Sequence, residues 1–268
     1  MIKVGIIGYG TLGKAICDLI QTDQAEDVAL KSILVRRPVT SINETIKNAF
    51  FTTNEETFFN QELDVIIEAA GHQALELYGE KALSSGSHLI ILSVGALADH
   101  CFYETLQSAA LKNNKKIFIP SAAIAGLDRI ASGVLGEIEE ITLITRKPTK
   151  SWYGTIAEER VDLETLKEAY CIYNGNARNA AKLFPESVNV SATLSIAGIG
   201  FEKTKVQVYI DPTINSNEHS IVAKGTFGRV EISVQNTPFK QNPKSSPIVA
   251  MSVAKVLRNL TTSVVIGI

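Results

Sequence analysis

Six consecutive residues near the amino terminus, Gly8-Tyr9-Gly10-Thr11-Leu12-Gly13, carry the spacing G-x-G-x-x-G. They follow the apolar run Ile2–Ile7 and open an amphipathic stretch that runs to Ile20, so the motif has a strand–turn–helix context. In that context each glycine has a task. Gly8 permits the tight turn, Gly10 lets the backbone approach a pyrophosphate, and Gly13 allows close helix–strand packing, with Thr11 and Leu12 between them. The helix start adds N–H groups and a partial positive charge. The chemistry implied is dinucleotide binding. The choice of dinucleotide depends on the end of the second strand, about 20 residues past the last glycine, where a carboxylate would bond the adenosine ribose of NAD. The chain has Leu34-Val35-Arg36-Arg37-Pro38 there, and Glu26 and Asp27 come too early. Arg36 and Arg37 suit a ribose 2′-phosphate, which favours NADP with NAD also accepted; the plainer reading makes them solvated loop charges.

The chain has 4 histidines. His88 stands where a buried strand begins and His100 near a helix start, both structural or surface positions. His72 follows Glu68-Ala69-Ala70-Gly71 at the carboxyl edge of a strand, where cofactors lie. His219 ends the polar stretch Asp211–Glu218, which reads as a loop between two strands; a neutral imidazole there could accept a proton at physiological pH. Two further segments are unusual for scaffold. Pro120–Asp128 is rich in small residues, and Phe184–Thr193 carries an amide and hydroxyls into a helix start. For Ser191 and Thr193 local capping or packing competes with a binding role.

The elements that must position these residues follow from periodicity. Up to residue 119, strand-like runs at Ile2–Ile7, Ala29–Val35, around Phe50, Val65–Glu68, Leu89–Leu92 and Ile117–Ile119 alternate with helical segments such as Ala74–Leu83 and Phe102–Lys112. Continuous apolar strands separated by helices predict an α/β fold, a doubly wound parallel sheet. After Pro120 the runs Ile141–Arg146, Lys205–Ile210, Ser220–Lys224 and Arg229–Gln235 alternate apolar with polar, which predicts a second α/β domain with an open mixed sheet, one face solvated or partner-facing. Gly225-Thr226-Phe227-Gly228 reads as a hairpin turn. Helices are expected at Leu163–Ala169, Ala177–Phe184, Val188–Ala197 and Ile248–Leu260. The domains expected are 1–119 and 120–246, with 247–268 returning to the first.

Composition narrows the function classes. The chain has 268 residues, 26 basic and 28 acidic, and a formal net charge of −2. There is no basic surplus for a phosphate backbone, so no nucleic-acid partner is expected. No apolar run approaches the ~18 residues of a membrane helix, and the start reads as a buried strand, not a signal peptide. The 3 cysteines lack any paired spacing, so neither a disulfide framework nor a metal site is expected, and a reducing cytoplasm is.

Pro120–Asp128, Phe184–Thr193, Asn217-Glu218-His219, Gly225–Gly228 and Asn242-Pro243-Lys244-Ser245-Ser246 together resemble the L-aspartate dehydrogenase family, over essentially the whole chain. The family's small-residue segment often reads Ser-Gly-Ala followed by Gly-Gly; here Ala122 and Ala125 replace two of those glycines. The resemblance implies that Ala123 and Asn189 contact the dinucleotide, that His219 is the active-site residue, and that a Rossmann domain is followed by an α/β domain whose open sheet forms a homodimer. It also implies L-aspartate as substrate and a link to NAD biosynthesis through iminoaspartate. Two substrate carboxylates would need cationic or hydroxyl partners, for which Lys147, Ser191 and Thr193 are candidates. The competing readings are a homoserine dehydrogenase-like or dihydrodipicolinate reductase-like enzyme, or a non-catalytic NADP-binding sensor. The His-His pair, following Lys and Ser-Gly-Thr segment of the reductase are missing.

Overall fold

The computed structural model describes residues 1–22, 25–39, 46, 49–184, 188–240, 242 and 245–267. Pro185, Glu186 and Ser187 of the Phe184–Thr193 segment, and Pro243 and Lys244 of the late Asn-Pro-Lys segment, lie outside them. The chain divides into two compact units, Met1–Ala122 with Pro247–Ile268, and Ala123–Ser246.

The first unit is built on six strands: β1 (Ile2–Ile7), β2 (Val28–Leu34), β3 (Phe50–Thr52), β4 (Val65–Glu68), β5 (His88–Ile91) and β6 (Ile117–Phe118). All pair in parallel, in the order β3-β2-β1-β4-β5-β6. Crossovers run through α1 (Thr11–Gln21), α2 (Glu55–Phe59), α3 (His72–Ser84) and α4 (His100–Lys112). Strand order reverses at β1, with β2 on one side and β4 on the other, which opens a crevice at the carboxyl edge. The strands are apolar because helices cover both faces. On α1 the buried residues Gly13, Ile16, Cys17 and Ile20 repeat with helical spacing. Ile16, Cys17 and Ile20 join Ala250, Val253 and Leu257 of the last helix in one core with Val4, Ile6, Ile33 and Val65. That helix, which follows α5 to α7 in the chain, is α8 (Pro247–Thr261).

The second unit holds α5 (Leu127–Gly133), β7 (Ile138–Lys147), β8 (Tyr170–Asn176), α6 (Ala177–Leu183), α7 (Val188–Ala197), β9 (Lys205–Ile210), β10 (Glu218–Gly225) and β11 (Gly228–Gln235). Its sheet is mixed, in the order β11-β10-β7-β9-β8, with β7 and β9 parallel and the other pairs antiparallel. Gly225 pairs with Gly228 at the β10–β11 hairpin. One phase of the alternation is buried: Ile141, Leu143, Thr145 and Lys147 on β7, Val206, Val208 and Ile210 on β9, and His219, Ile221 and Ala223 on β10. The other phase leaves Ile144, Arg146, Tyr209 and Val222 half-buried. The helix α7 is buried round much of its circumference, from Val188 through Ser191, Ala192, Thr193, Leu194 and Ser195.

Three expectations are corrected. Leu163–Ala169 forms turns, not a helix. Asp162 Oδ1 accepts from the Glu164 N–H at 3.1 Å and Thr165 Oγ1 donates to the Asp162 carbonyl at 3.1 Å, local bonds that compete with a helical ladder; of the two leucines only Leu163 is buried. β8 is a strand that the periodicity does not predict, and its Asn174-Gly175-Asn176 end has the composition of a turn. His219 lies in no loop. It is the second residue of β10, in the buried phase.

Candidate functional site

The glycine turn joins β1 to α1. Gly8 has φ +101, in the left-handed region, and its N–H donates to the Leu34 carbonyl at 2.9 Å. A Cβ on Gly8 would stand 2.8 Å from the Ala69 carbonyl oxygen, so the β4–α3 turn abuts the glycine turn directly. At Gly10 a Cβ would meet no atom within 4 Å. The backbone there is therefore open to a bulky anion, at a helix start with no acidic residue in its first turn. Thr11 and Leu12 form that first turn. The residues present fit a dinucleotide pyrophosphate. Arg36 and Arg37 follow β2 and are exposed. Glu26 and Asp27 precede β2, at the opposite end of the strand from the glycine turn, and Glu26 faces Arg258 of α8 at 3.9 Å.

His219 is 5% exposed and is paired across the sheet with Thr145 on β7 and Val234 on β11. Its Nδ1 lies 3.1 Å from Thr145 Oγ1. Burial, followed by the charge of Lys147, pushes the imidazole down to about 4. Lys147, two residues along β7 from Thr145 on the same face, is itself buried, and its Nζ lies 5.5 Å from the Trp152 ring centroid. Trp152 Nε1 donates to the Lys147 carbonyl at 3.3 Å, and the Asp211 N–H donates to it at 2.9 Å. The β7 end is thus pinned on both sides. A neutral imidazole with one nitrogen engaged leaves Nε2 for proton transfer, and the neighbouring ammonium can receive a carboxylate.

The remaining expected residues are placed less compactly. Ser191 Oγ donates to the Val188 carbonyl at 3.0 Å and Thr193 Oγ1 to the Asn189 carbonyl at 2.8 Å. Both hydroxyl protons are engaged by the helix's own backbone. Asn189 is exposed at the second position of α7. The Ala123 carbonyl accepts from Asn236 Nδ2 at 2.8 Å. Beside it Ala122 adopts φ +49, a conformation that suits glycine better. His72 opens α3, His88 opens β5 and His100 opens α4.

Thr145 belongs to none of the sequence motifs. The signal was present: it lies in the same alternation phase as Ile141 and Leu143, where a hydroxyl among apolar residues asks for a buried partner. Glu68, fully buried at the end of the apolar run Val65-Ile66-Ile67, is a second such residue.

Comparison with known proteins finds relatives of both units. Residues 128–260 match the family profile described as aspartate dehydrogenase, C-terminal, and residues 8–120 match that of the homoserine dehydrogenase NAD binding domain. The first unit accordingly takes a pyridine nucleotide. Curated relatives include the L-aspartate dehydrogenase of Ralstonia pickettii, 36% identical over 97% of both chains. That of Methanosarcina mazei is 38% identical over 100% of both. Among solved structures, aspartate dehydrogenase from Thermotoga maritima superposes with a TM-score of 0.80 at 26% identity, covering 100% of each chain. A hyperthermophilic archaeal homoserine dehydrogenase, with a TM-score of 0.64 at 14% identity, shares the fold. Two-domain similarity at this identity and coverage places the chain in the aspartate dehydrogenase family.

Proposed function

We propose that this chain catalyses the NAD(P)-dependent oxidative deamination of L-aspartate. L-aspartate, oxidised cofactor and water give oxaloacetate, ammonium, reduced cofactor and a proton. The observation that carries the reading is the buried His219 imidazole, held against Thr145 beside the Lys147 ammonium. Full-length similarity to curated L-aspartate dehydrogenases supports it.

The pyridine nucleotide, when bound, accepts the hydride from the substrate α-carbon. The protein must do the rest. Gly8, Gly10, Thr11, Leu12 and Gly13 receive the pyrophosphate, and Arg36 and Arg37 receive a ribose 2′-phosphate, which favours NADP over NAD. Ala123 and Asn189 are assigned to the dinucleotide by family resemblance. Lys147 pairs with a substrate carboxylate; Ser191 and Thr193 are weaker candidates because their hydroxyl protons are engaged within α7. The α-amino group must be uncharged to become an imine. His219 Nε2 takes its proton and releases it to solvent; it then takes one from the water that attacks the imine carbon and returns it to the nitrogen, which departs as ammonium. An imidazole kept neutral across the physiological range is ready for both steps. The half-buried face of the second sheet supports a homodimer. There Glu140 meets Lys205 and Lys224, at 3.3 Å each, beside Ile144 and Val222.

Formation of reduced cofactor with L-aspartate, L-glutamate, L-homoserine or no substrate, using NADP and NAD separately, tests the proposal. Aspartate-dependent reduction is expected. Reduction with homoserine alone would favour the homoserine dehydrogenase-like reading, and tight NADPH binding without any reduction would favour the sensor.

A further inference from the structure

Glu68 ends β4 with no exposed surface, and its carboxylate is the common acceptor of two loops. Oε1 accepts from the N–H groups of Ala70 and Gly71, both at 2.8 Å, and from Ser93 Oγ at 2.9 Å. Oε2 accepts from the Ser93 N–H at 3.0 Å. All four donors are uncharged. Ala70 and Gly71 form the β4–α3 turn, while Ser93 lies in the turn that leaves β5 and caps a short 3-10 segment, Val94–Ala98. The strands β4 and β5 are neighbours, so one side chain fixes two adjacent turns at the carboxyl edge.

The position of these turns gives them a task. Packing alone would be satisfied by another apolar residue after Val65-Ile66-Ile67, and a buried carboxylate is costly unless every lone pair is used. The first turn also presses on the phosphate-binding glycines: a Cβ on Gly8 would be 2.8 Å from the Ala70 Cβ. In this strand order the adenosine half of a dinucleotide lies over β2, where Arg36 and Arg37 stand, and the pyrophosphate lies at the start of α1. The nicotinamide half therefore runs toward β4 and β5, over the turns that Glu68 holds.

We propose that Glu68 is a positioning residue for the nicotinamide half of the cofactor. It touches no reacting atom. It keeps the Ala70–Gly71 and Ser93 backbones in the shape that this half of the ligand requires.

Two ligands separate this role from a general contribution to folding. NADPH carries both halves; 2′-phospho-ADP-ribose carries the adenosine half and pyrophosphate without nicotinamide. Glu68→Gln preserves size but turns one acceptor oxygen into an N–H donor facing another N–H. We expect it to weaken NADPH binding by about tenfold or more. Affinity for 2′-phospho-ADP-ribose should fall by much less, and the emission of bound NADPH should move toward that of the free cofactor. Ser93→Ala, which removes one donor and keeps the backbone, should move the ratio of the two affinities in the same direction and less far. It carries the test alone if Glu68→Gln fails to fold. Equal weakening of both ligands, or an unchanged ratio, would overturn the proposal. So would a wild-type protein that binds NADPH no more tightly than the fragment, because the nicotinamide half would then have no site to be shaped.

Discussion

His219 shows how one side chain's surroundings select its chemistry. It is 5% exposed, Thr145 holds Nδ1, and burial with the Lys147 charge lowers its pKa from 6.5 to about 4. The unfolded chain therefore takes up this proton before the folded one does. Stability carried by the neutral imidazole is fully present above pH 6.5 and is lost as the pH falls toward about 4. The loss amounts to about 3 kcal/mol. Urea unfolding across that window should show the decline, and His219→Gln should flatten it; a wild type equally stable throughout would refute the buried neutral state. Thr145 acts through His219. Thr145→Val, nearly isosteric, should lower kcat by about tenfold, while Thr145→Ser restores it. Equal kcat in both variants would mean that the hydroxyl does not orient the ring.

At the scale of elements, much was legible. Strands β1, β4 and β9 and helix α7 begin and end where the sequence puts them; β1 stops at Gly8, β4 starts after Asp64, β9 lies between Thr204 and Asp211, and α7 stops at Gly198. Failures came where local chemistry overrides pattern. Asp162 and Thr165 divert the Leu163 segment into turns, and the Asn-Gly-Asn end of β8 disguises a strand. The glycine turn was legible as a site because its motif is local. Thr145 and His219 were not legible as a pair, since 74 residues separate them and only the β7–β10 register brings them together. A local departure also has a measurable cost. Ala122 holds φ +49, a left-handed conformation that suits glycine better, so Ala122→Gly should raise unfolding free energy by about 0.5–1 kcal/mol. A lower denaturation midpoint would show that the left-handed conformation is not a strain.

For the whole molecule, a net charge of −2 conceals local arrangements that matter more. The first unit exposes Arg36 and Arg37 after β2, while Glu26 and Asp27 stand at the far end of that strand. Arg36→Asp should therefore lower the ratio of NADP to NAD affinity by about tenfold or more, measured by cofactor titration. An unchanged ratio would remove the basis for the NADP preference. No helix among the described residues is long and apolar enough to cross a membrane. The second unit contributes a buried base and a buried cation on one face of its sheet. On the proposed function, His219 handles the protons of aspartate deamination. The most direct test is L-aspartate-dependent reduction of NADP by wild type and His219→Ala, with NADPH affinity measured on both. The variant should lose about 100-fold or more in turnover while its NADPH affinity is retained. Unchanged turnover in a folded His219→Ala protein would contradict it.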